Sequence, residues 1–209
     1  MSPRRYRMGL RQAASDRTRA RILAAARDLL TPPRGFQQFT LEAVAREADV
    51  ARMTVYYQFR SKAQLLESLY DHIVARRQMA RLREVSGKPD ALAALLVFIG
   101  TWVRVWNSDR VVFRQLHAAA ALDPEIAQRL QAREARRKQD LQVILARVRE
   151  QYGHPSHGKL PQAVEIVHML TSFEAFDRLA GTSRRPREVA DTVRRLALAA
   201  IVLYGGELG

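Results

Sequence analysis

Residues 40–62, TLEAVAREADVARMTVYYQFRSK, decide the fold of this chain. Leu41, Val44, Ala45 and Ala48 recur at i, i+3, i+4 and i+7, the apolar stripe of a short helix. The Thr40 hydroxyl stands where it can cap an exposed N–H of that helix. Asp49 and Val50 break the pattern, and a second helix of about residues 51–58 follows. Val55 and Phe59 lie four apart on its inner face, which leaves Arg52, Thr54, Tyr56 and Tyr57 on or near the outer one. Two short helices around a tight turn, the second polar outside, form a helix-turn-helix whose second helix fits the DNA major groove.

With the helix before it, this segment resembles the DNA-binding domain of the TetR family of bacterial regulators. The resemblance covers about 45 contiguous residues and runs through Arg19-Ala-Arg-Ile-Leu-Ala-Ala-Ala26, Gly35-Phe36, Thr40, Leu41-Glu-Ala-Val-Ala and Thr54-Val-Tyr-Tyr-Gln-Phe-Arg-Ser-Lys62. A lone helix-turn-helix pattern is weak, but the order capped helix, turn, T-V-Y-Y-x-F, S-K and long helix is specific. Three positions depart from the family pattern: Asp49 for the usual Gly of the turn, Ala51 for a capping Ser, and Gln58 for a common His. Asp tolerates the left-handed backbone better than most residues. Ala51 cannot cap, which costs about 1 kcal/mol.

The residue types assign roles on this surface. A guanidinium at the start of the second helix, Arg52, can meet guanine O6 and N7 bidentately, and Thr54 can meet a thymine methyl or a phosphate. Lys62 opens the next helix, where its ammonium and the free N–H groups attract a phosphate, and Thr40 does the same at the first helix of the motif. The resemblance implies that Tyr56 binds phosphate and Tyr57 reaches a base or the backbone. Arg52, Met53 and Tyr57 are then the residues that specify sequence, while the others position the domain.

Composition agrees. The net charge is +14, carried by 31 Arg and only 4 Lys. Residues 1–62 hold 13 basic and 5 acidic side chains, a net of +8, while the remaining 147 hold 22 and 16, a net of +6. The positive charge is thus densest around the motif, as a phosphate-facing surface requires. No cysteine is present, which excludes disulfides, thiolate catalysis and Cys-ligated metals. No apolar run reaches the roughly 18 residues of a membrane span, and the N-terminus lacks the apolar core of a signal peptide. A cytoplasmic protein with no membrane partner is expected.

Residues 1–15 are basic (Arg4, Arg5, Arg7, Arg11) and without a helical stripe, so an arm is expected there, either in the minor groove or merely solvated. A first helix is expected from Asp16 to about residue 30, with Ile22, Ala26, Leu29 and Leu30 inward. Beyond Lys62 the pattern is helical throughout, with helices near 62–86, from Asp90 through Trp106, and near 109–122, 123–152, 162–180 and 186–204. The fold class is therefore all-α with about nine helices. The chain divides into an arm (1–15), a helix-turn-helix domain (16–62) and a ligand-binding and dimerisation bundle (63–209).

The family resemblance implies a pocket for an apolar or amphipathic inducer, lined by Phe98, Trp102, Trp106, Phe113, His117 and Phe173. Plain packing is the alternative for any one of them. It also implies that the last two helices pair into a two-fold dimer through Met169, Leu170, Phe173, Val193 and Leu196. His154 and His157 share a loop with no nearby acid, a poor metal site, and no catalytic spacing appears. The expected protein is a DNA-binding regulator, a repressor by the habit of the family, with no cofactor, no metal and no enzymatic activity. Two rivals are an architectural DNA-binding protein, supported by the charge, and a small helical enzyme using His117 or the Glu174/Asp177 pair.

Overall fold

A computed structural model gives the backbone of residues 3–87, 90–153 and 159–204, and the side chains of 12–76, 90–153 and 159–204. Among these described residues all regular structure is helical. The α-helices are α1 (Pro3–Leu29), α2 (Leu41–Glu47), α3 (Arg52–Phe59), α4 (Lys62–Gly87), α5 (Ala91–Ser108), α6 (Arg110–Leu122), α7 (Pro124–Tyr152), α8 (Leu160–Leu170), α9 (Phe173–Ala180) and α10 (Pro186–Leu203). A 3-10 turn covers Phe36–Gln38.

Several boundaries fall where side chains cap them. Thr40 accepts from Ala43 N–H at 3.0 Å, Asp90 from Leu92 N–H at 2.9 Å, and Asp123 from Glu125 N–H at 2.9 Å. Two boundaries correct the sequence reading. First, α1 begins at Pro3 rather than near Asp16. Proline suits a first helical position, and the residues after it are mostly good helix formers. Asp16 lies inside the helix, where its Oδ1 accepts from Gln12 Nε2 at 3.0 Å. The side chains of Arg4, Arg5, Arg7 and Arg11 lie outside the described residues, as does the His154/His157 loop.

Second, the helix expected over 162–180 is two helices, so the described chain has ten. The Thr171 hydroxyl turns back to Val167 O at 2.8 Å, and Ser172, in extended backbone, accepts from Ala175 N–H at 3.1 Å. A hydroxyl that competes for backbone groups ends one helix, and a capping Ser starts the next.

The chain separates into two compact units, Met1–His72 with Val111–Leu130 and Ile73–Arg110 with Gln131–Gly209. In the first, Ile22, Ala26 and Leu29 of α1 and Leu30 just after it share a core with Phe39, Val44, Val55, Phe59, Leu65 and Leu66, all buried. Helix α6 belongs to this unit from Val111 onward. Its Gln115 Oε1 accepts from Phe36 N–H at 3.2 Å, and Phe113 meets Tyr70 edge to face at 5.7 Å. The start of α7 joins it as well: Ser61 Oγ donates to Glu125 at 3.3 Å, and Arg129 pairs with Glu67.

In the second unit α5 is the central helix. Leu95, Ile99, Val105 and Trp106 are fully enclosed, and α9 and α10 pack against it, with α8 against α10. This helix is 18 residues long with a mean hydropathy of 1.4, long and apolar enough to cross a membrane by composition. The expectation that no segment reaches that length is corrected. Most of α5 is buried inside its unit, as in a core helix.

Ala51, the N-cap of α3, has extended backbone (φ −63, ψ 144) and makes no side-chain cap bond. Ala51→Ser is expected to stabilise the protein by about 1 kcal/mol, seen as a higher urea midpoint at unchanged slope. An unchanged midpoint would show that α3 gains nothing from a cap.

Candidate nucleic-acid interface

The turn between α2 and α3 sets the direction of the second helix. Asp49 has φ +50, the left-handed conformation that the sequence requires there. From α1, the Arg21 guanidinium reaches across. Its Nη2 donates to Ala48 O and to Asp49 O at 2.6 Å each, and its Nε to Ala48 O at 3.2 Å. Those carbonyls end α2, so a cation there also meets the negative end of the helix dipole. Arg19 lies with its guanidinium 4.4 Å from the centre of the Phe59 ring and donates to Ser68 Oγ at 3.0 Å. Gln58 Nε2 donates to Ser15 Oγ at 3.1 Å, which gives this departure from the family pattern a packing role. Two helices are thus pinned to α1 through polar bonds over a shared apolar core.

Helix α3 divides cleanly into two faces. Val55 and Phe59 are fully buried, while Met53 is 52%, Tyr56 51% and Tyr57 77% exposed. Arg52 is exposed too, and its Nη2 lies 2.8 Å from Glu42 Oε1 of α2. Thr54 is half-buried. Thr40 spends its hydroxyl on the cap of α2. Lys62 opens α4, but its ammonium rests 3.6 Å from the centre of the Phe36 ring. Burial pushes its pKa below the ordinary 10.5, against an upward pull from Asp123. Ser61 is the N-cap there, accepting from Gln64 N–H at 3.1 Å. The Ser-x-x-Gln spacing was the available signal for it. No local signal marks Arg21, whose partners lie 27 and 28 residues away.

Residues 22–69 match the family of bacterial regulatory proteins described as the tetR family. This segment is a TetR-family DNA-binding domain. Solved structures extend the likeness to the rest of the chain. A TetR transcription regulator from Haloarcula marismortui has a TM-score of 0.69 at 16% identity, covering 90% of this chain and 98% of its own. GusR of Salmonella enterica has 0.68 at 18%, covering 88% and 95%. NalD of Pseudomonas aeruginosa, the secondary repressor of the MexAB-OprM multidrug efflux pump, has 0.64 at 22%, covering 94% and 100%. At these identities the likeness is one of fold. No curated protein matches the chain significantly in sequence.

Of the residues that the TetR resemblance links to a ligand, four form one row in the second unit. Phe98 and Trp102 have ring centres 6.2 Å apart, Trp102 and Trp106 4.9 Å, and Trp106 and Phe173 5.8 Å. All four are buried. Phe113 and His117 belong to the first unit. Asp177, a candidate polar lining group, instead pairs with Arg110. Of the residues linked to dimerisation, Met169 and Leu196 are exposed and Leu170 is half-buried, whereas Phe173 and Val193 are enclosed within the chain itself.

A buried cation adjoins the row. Arg137 is 1% exposed, with its guanidinium 5.4 Å from the centre of a Trp102 ring. It pairs with Glu134 and donates to Thr171 Oγ1 at 2.7 Å and to His168 O at 3.3 Å, while Trp106 Nε1 donates to Thr171 O at 2.9 Å. Burial pushes the Glu134 carboxyl up, but His168 and Arg137 together outweigh it and hold its pKa below the ordinary 4.5. The stability that this carboxylate lends is complete above the ordinary carboxylate range and is lost as pH falls through the lowered value.

Arg137→Met is expected to cost about 1–3 kcal/mol in unfolding free energy, because Glu134 loses one of its two partners and Thr171 loses its donor. Arg137→Met with Glu134→Gln should recover much of that loss. A double variant no more stable than the single one would place the cost elsewhere.

Proposed function

We propose that this TetR-family DNA-binding regulator acts as a two-fold dimer that represses transcription from a palindromic operator and leaves it when a small molecule binds. The observation that carries the reading is α3, a helix anchored through two enclosed side chains whose other face presents Arg52, Met53, Tyr56 and Tyr57 to solvent. Large side chains left this exposed on a major-groove helix are available to base edges and phosphates. In this reading Arg52, Met53 and Tyr57 specify sequence. Thr40, Thr54, Tyr56 and Lys62 position the domain, with residues 16–62 as the DNA-binding region and 1–15 as a basic arm. NalD, a repressor with the same fold, supports repression.

Residues 63–209 then serve ligand binding and dimerisation. Met169, Leu170 and Leu196, with the exposed Val202 and Leu203 of α10, supply an apolar face for the partner protomer. Pairing there would set two recognition helices about 34–36 Å apart, one turn of DNA. Phe98, Trp102, Trp106 and Phe173 supply the apolar wall for an inducer. Ligand binding would favour a dimer whose recognition helices no longer match successive grooves.

On DNA, Tyr56→Phe and Lys62→Ala are expected to weaken operator and random duplexes by similar factors, with Lys62→Ala lowering the salt slope by about one. Arg52→Ala should instead relax specificity, at about 1–3 kcal/mol for one base pair of each half-site. Fluorescence anisotropy on both duplexes at several salt concentrations checks this. Equal losses on the two for Arg52→Ala would remove it as a base reader, and a wild type that binds both equally would mark an architectural protein.

For the ligand, Trp102 and Trp106 are the only tryptophans of the chain and report on the row directly. In a screen of aromatic and amphipathic small molecules, an inducer should change their emission and lower operator affinity over the same concentration range. Trp102→Ala should blunt that response while leaving operator binding by the free protein nearly intact. Loss of DNA binding by Trp102→Ala itself would make it a packing residue.

A further inference from the structure

The pair formed by Glu42 and Arg52 has a use beyond joining α2 to α3. Glu42 lies in the first turn of α2, two residues after Thr40, and Arg52 opens α3 next to Met53, so the ion pair joins the N-terminal ends of the two helices of the motif. Their side chains are 49% and 70% exposed, so the pair is held in solvent and not inside a core. An acid in a first helical turn suits the helix dipole, and that would be a sufficient reason for it elsewhere. Here it also places a negative charge on a surface that must approach phosphates, which works against binding to any DNA. The other acid of α2, Glu47, is tied to Arg34 at 2.6 Å.

Base edges can use what phosphates cannot. A carboxylate accepts from the N4 amino group of cytosine, and a guanidinium donates bidentately to guanine O6 and N7. The ion pair engages one oxygen of Glu42 and one terminal nitrogen of Arg52. A second oxygen and several N–H groups are left over by that contact. We propose that Glu42 is a specificity-determining residue of the DNA interface. One carboxylate oxygen holds the Arg52 guanidinium in line with a guanine, and the other accepts from a neighbouring cytosine. The same carboxylate neutralises Arg52 toward phosphates, so the arginine contributes to base reading and little to indiscriminate binding. The proposal rests on the reading that α3 enters the major groove.

The test compares full-length wild type, E42A, E42Q, R52A and E42A/R52A on an operator selected from random duplexes by the wild type, and on a random duplex. Removing the carboxylate should act with opposite signs. E42A should bind random DNA a few-fold tighter with a steeper salt slope, because Arg52 is freed for phosphates. It should bind operator about tenfold or more weakly, with the loss confined to the guanine read by Arg52 and its cytosine neighbour. E42Q, which keeps an acceptor oxygen but loses the charge, should fall between. In the R52A background, E42A should lose only the cytosine preference. Unchanged helical circular dichroism keeps folding out of the comparison, since Glu42 is exposed. If E42A changes affinity for both duplexes by one factor, or leaves their ratio alone, the proposal is overturned. Loss of specificity in R52A but not in E42A would sink the role of Glu42 and keep that of Arg52. A wild type without operator preference would overturn the major-groove reading beneath both.

Discussion

Everything that the first unit can present to DNA depends on how one turn is held. At Asp49 the chain takes a left-handed residue between two helices, and the carbonyls of Ala48 and Asp49 lie at the end of α2, where intrahelical N–H donors run out. Arg21 satisfies both from α1. A guanidinium suits this task because its planar fork spans two acceptors at once. The bond is also a constraint on direction. With Val44 and Val55 enclosed and the turn clamped, α3 has little freedom to rotate about its own axis, so its outward residues keep a single heading.

The second unit solves a different problem. Helix α5 offers few polar side chains, so its neighbours must cover it on most sides. The break between α8 and α9 brings backbone carbonyls into that apolar setting, where each unmet acceptor would be costly. Trp106 and Arg137 supply the donors, both at Thr171 or beside it. The aromatic row and the buried charge therefore belong to a common arrangement. The tryptophan that packs on Phe173 also closes the helix break.

The fold was legible in the sequence wherever its cause is local. Thr40, Asp90 and Asp123 cap helices because a hydroxyl or carboxylate beside an apolar run has little else to do. Val55 and Phe59 point inward because four residues is about one helical turn. The two exceptions share a reason. The start of α1 lacks an apolar stripe, so its helicity rests on propensity alone, and the end of α8 is marked by Thr171 and Ser172 without Pro or Gly. On the candidate interface, exposure of Arg52, Tyr56 and Tyr57 followed from the helical wheel, which also placed the half-buried Thr54 near the outer face. The seating of Lys62 on Phe36, the Arg21 clamp and the Glu42–Arg52 pair did not, since each joins residues that only the folded chain brings together.

Helix α3 keeps its two tasks on separate residues. Val55 and Phe59 hold it in place, while Met53, Tyr56 and Tyr57 stand largely clear of the protein interior. Substitution of an exposed side chain usually changes stability little. Descendants of this chain can therefore exchange these exposed residues one at a time without loss of the folded domain. Under the proposed function, the same separation opens new recognition to selection in small, individually viable steps.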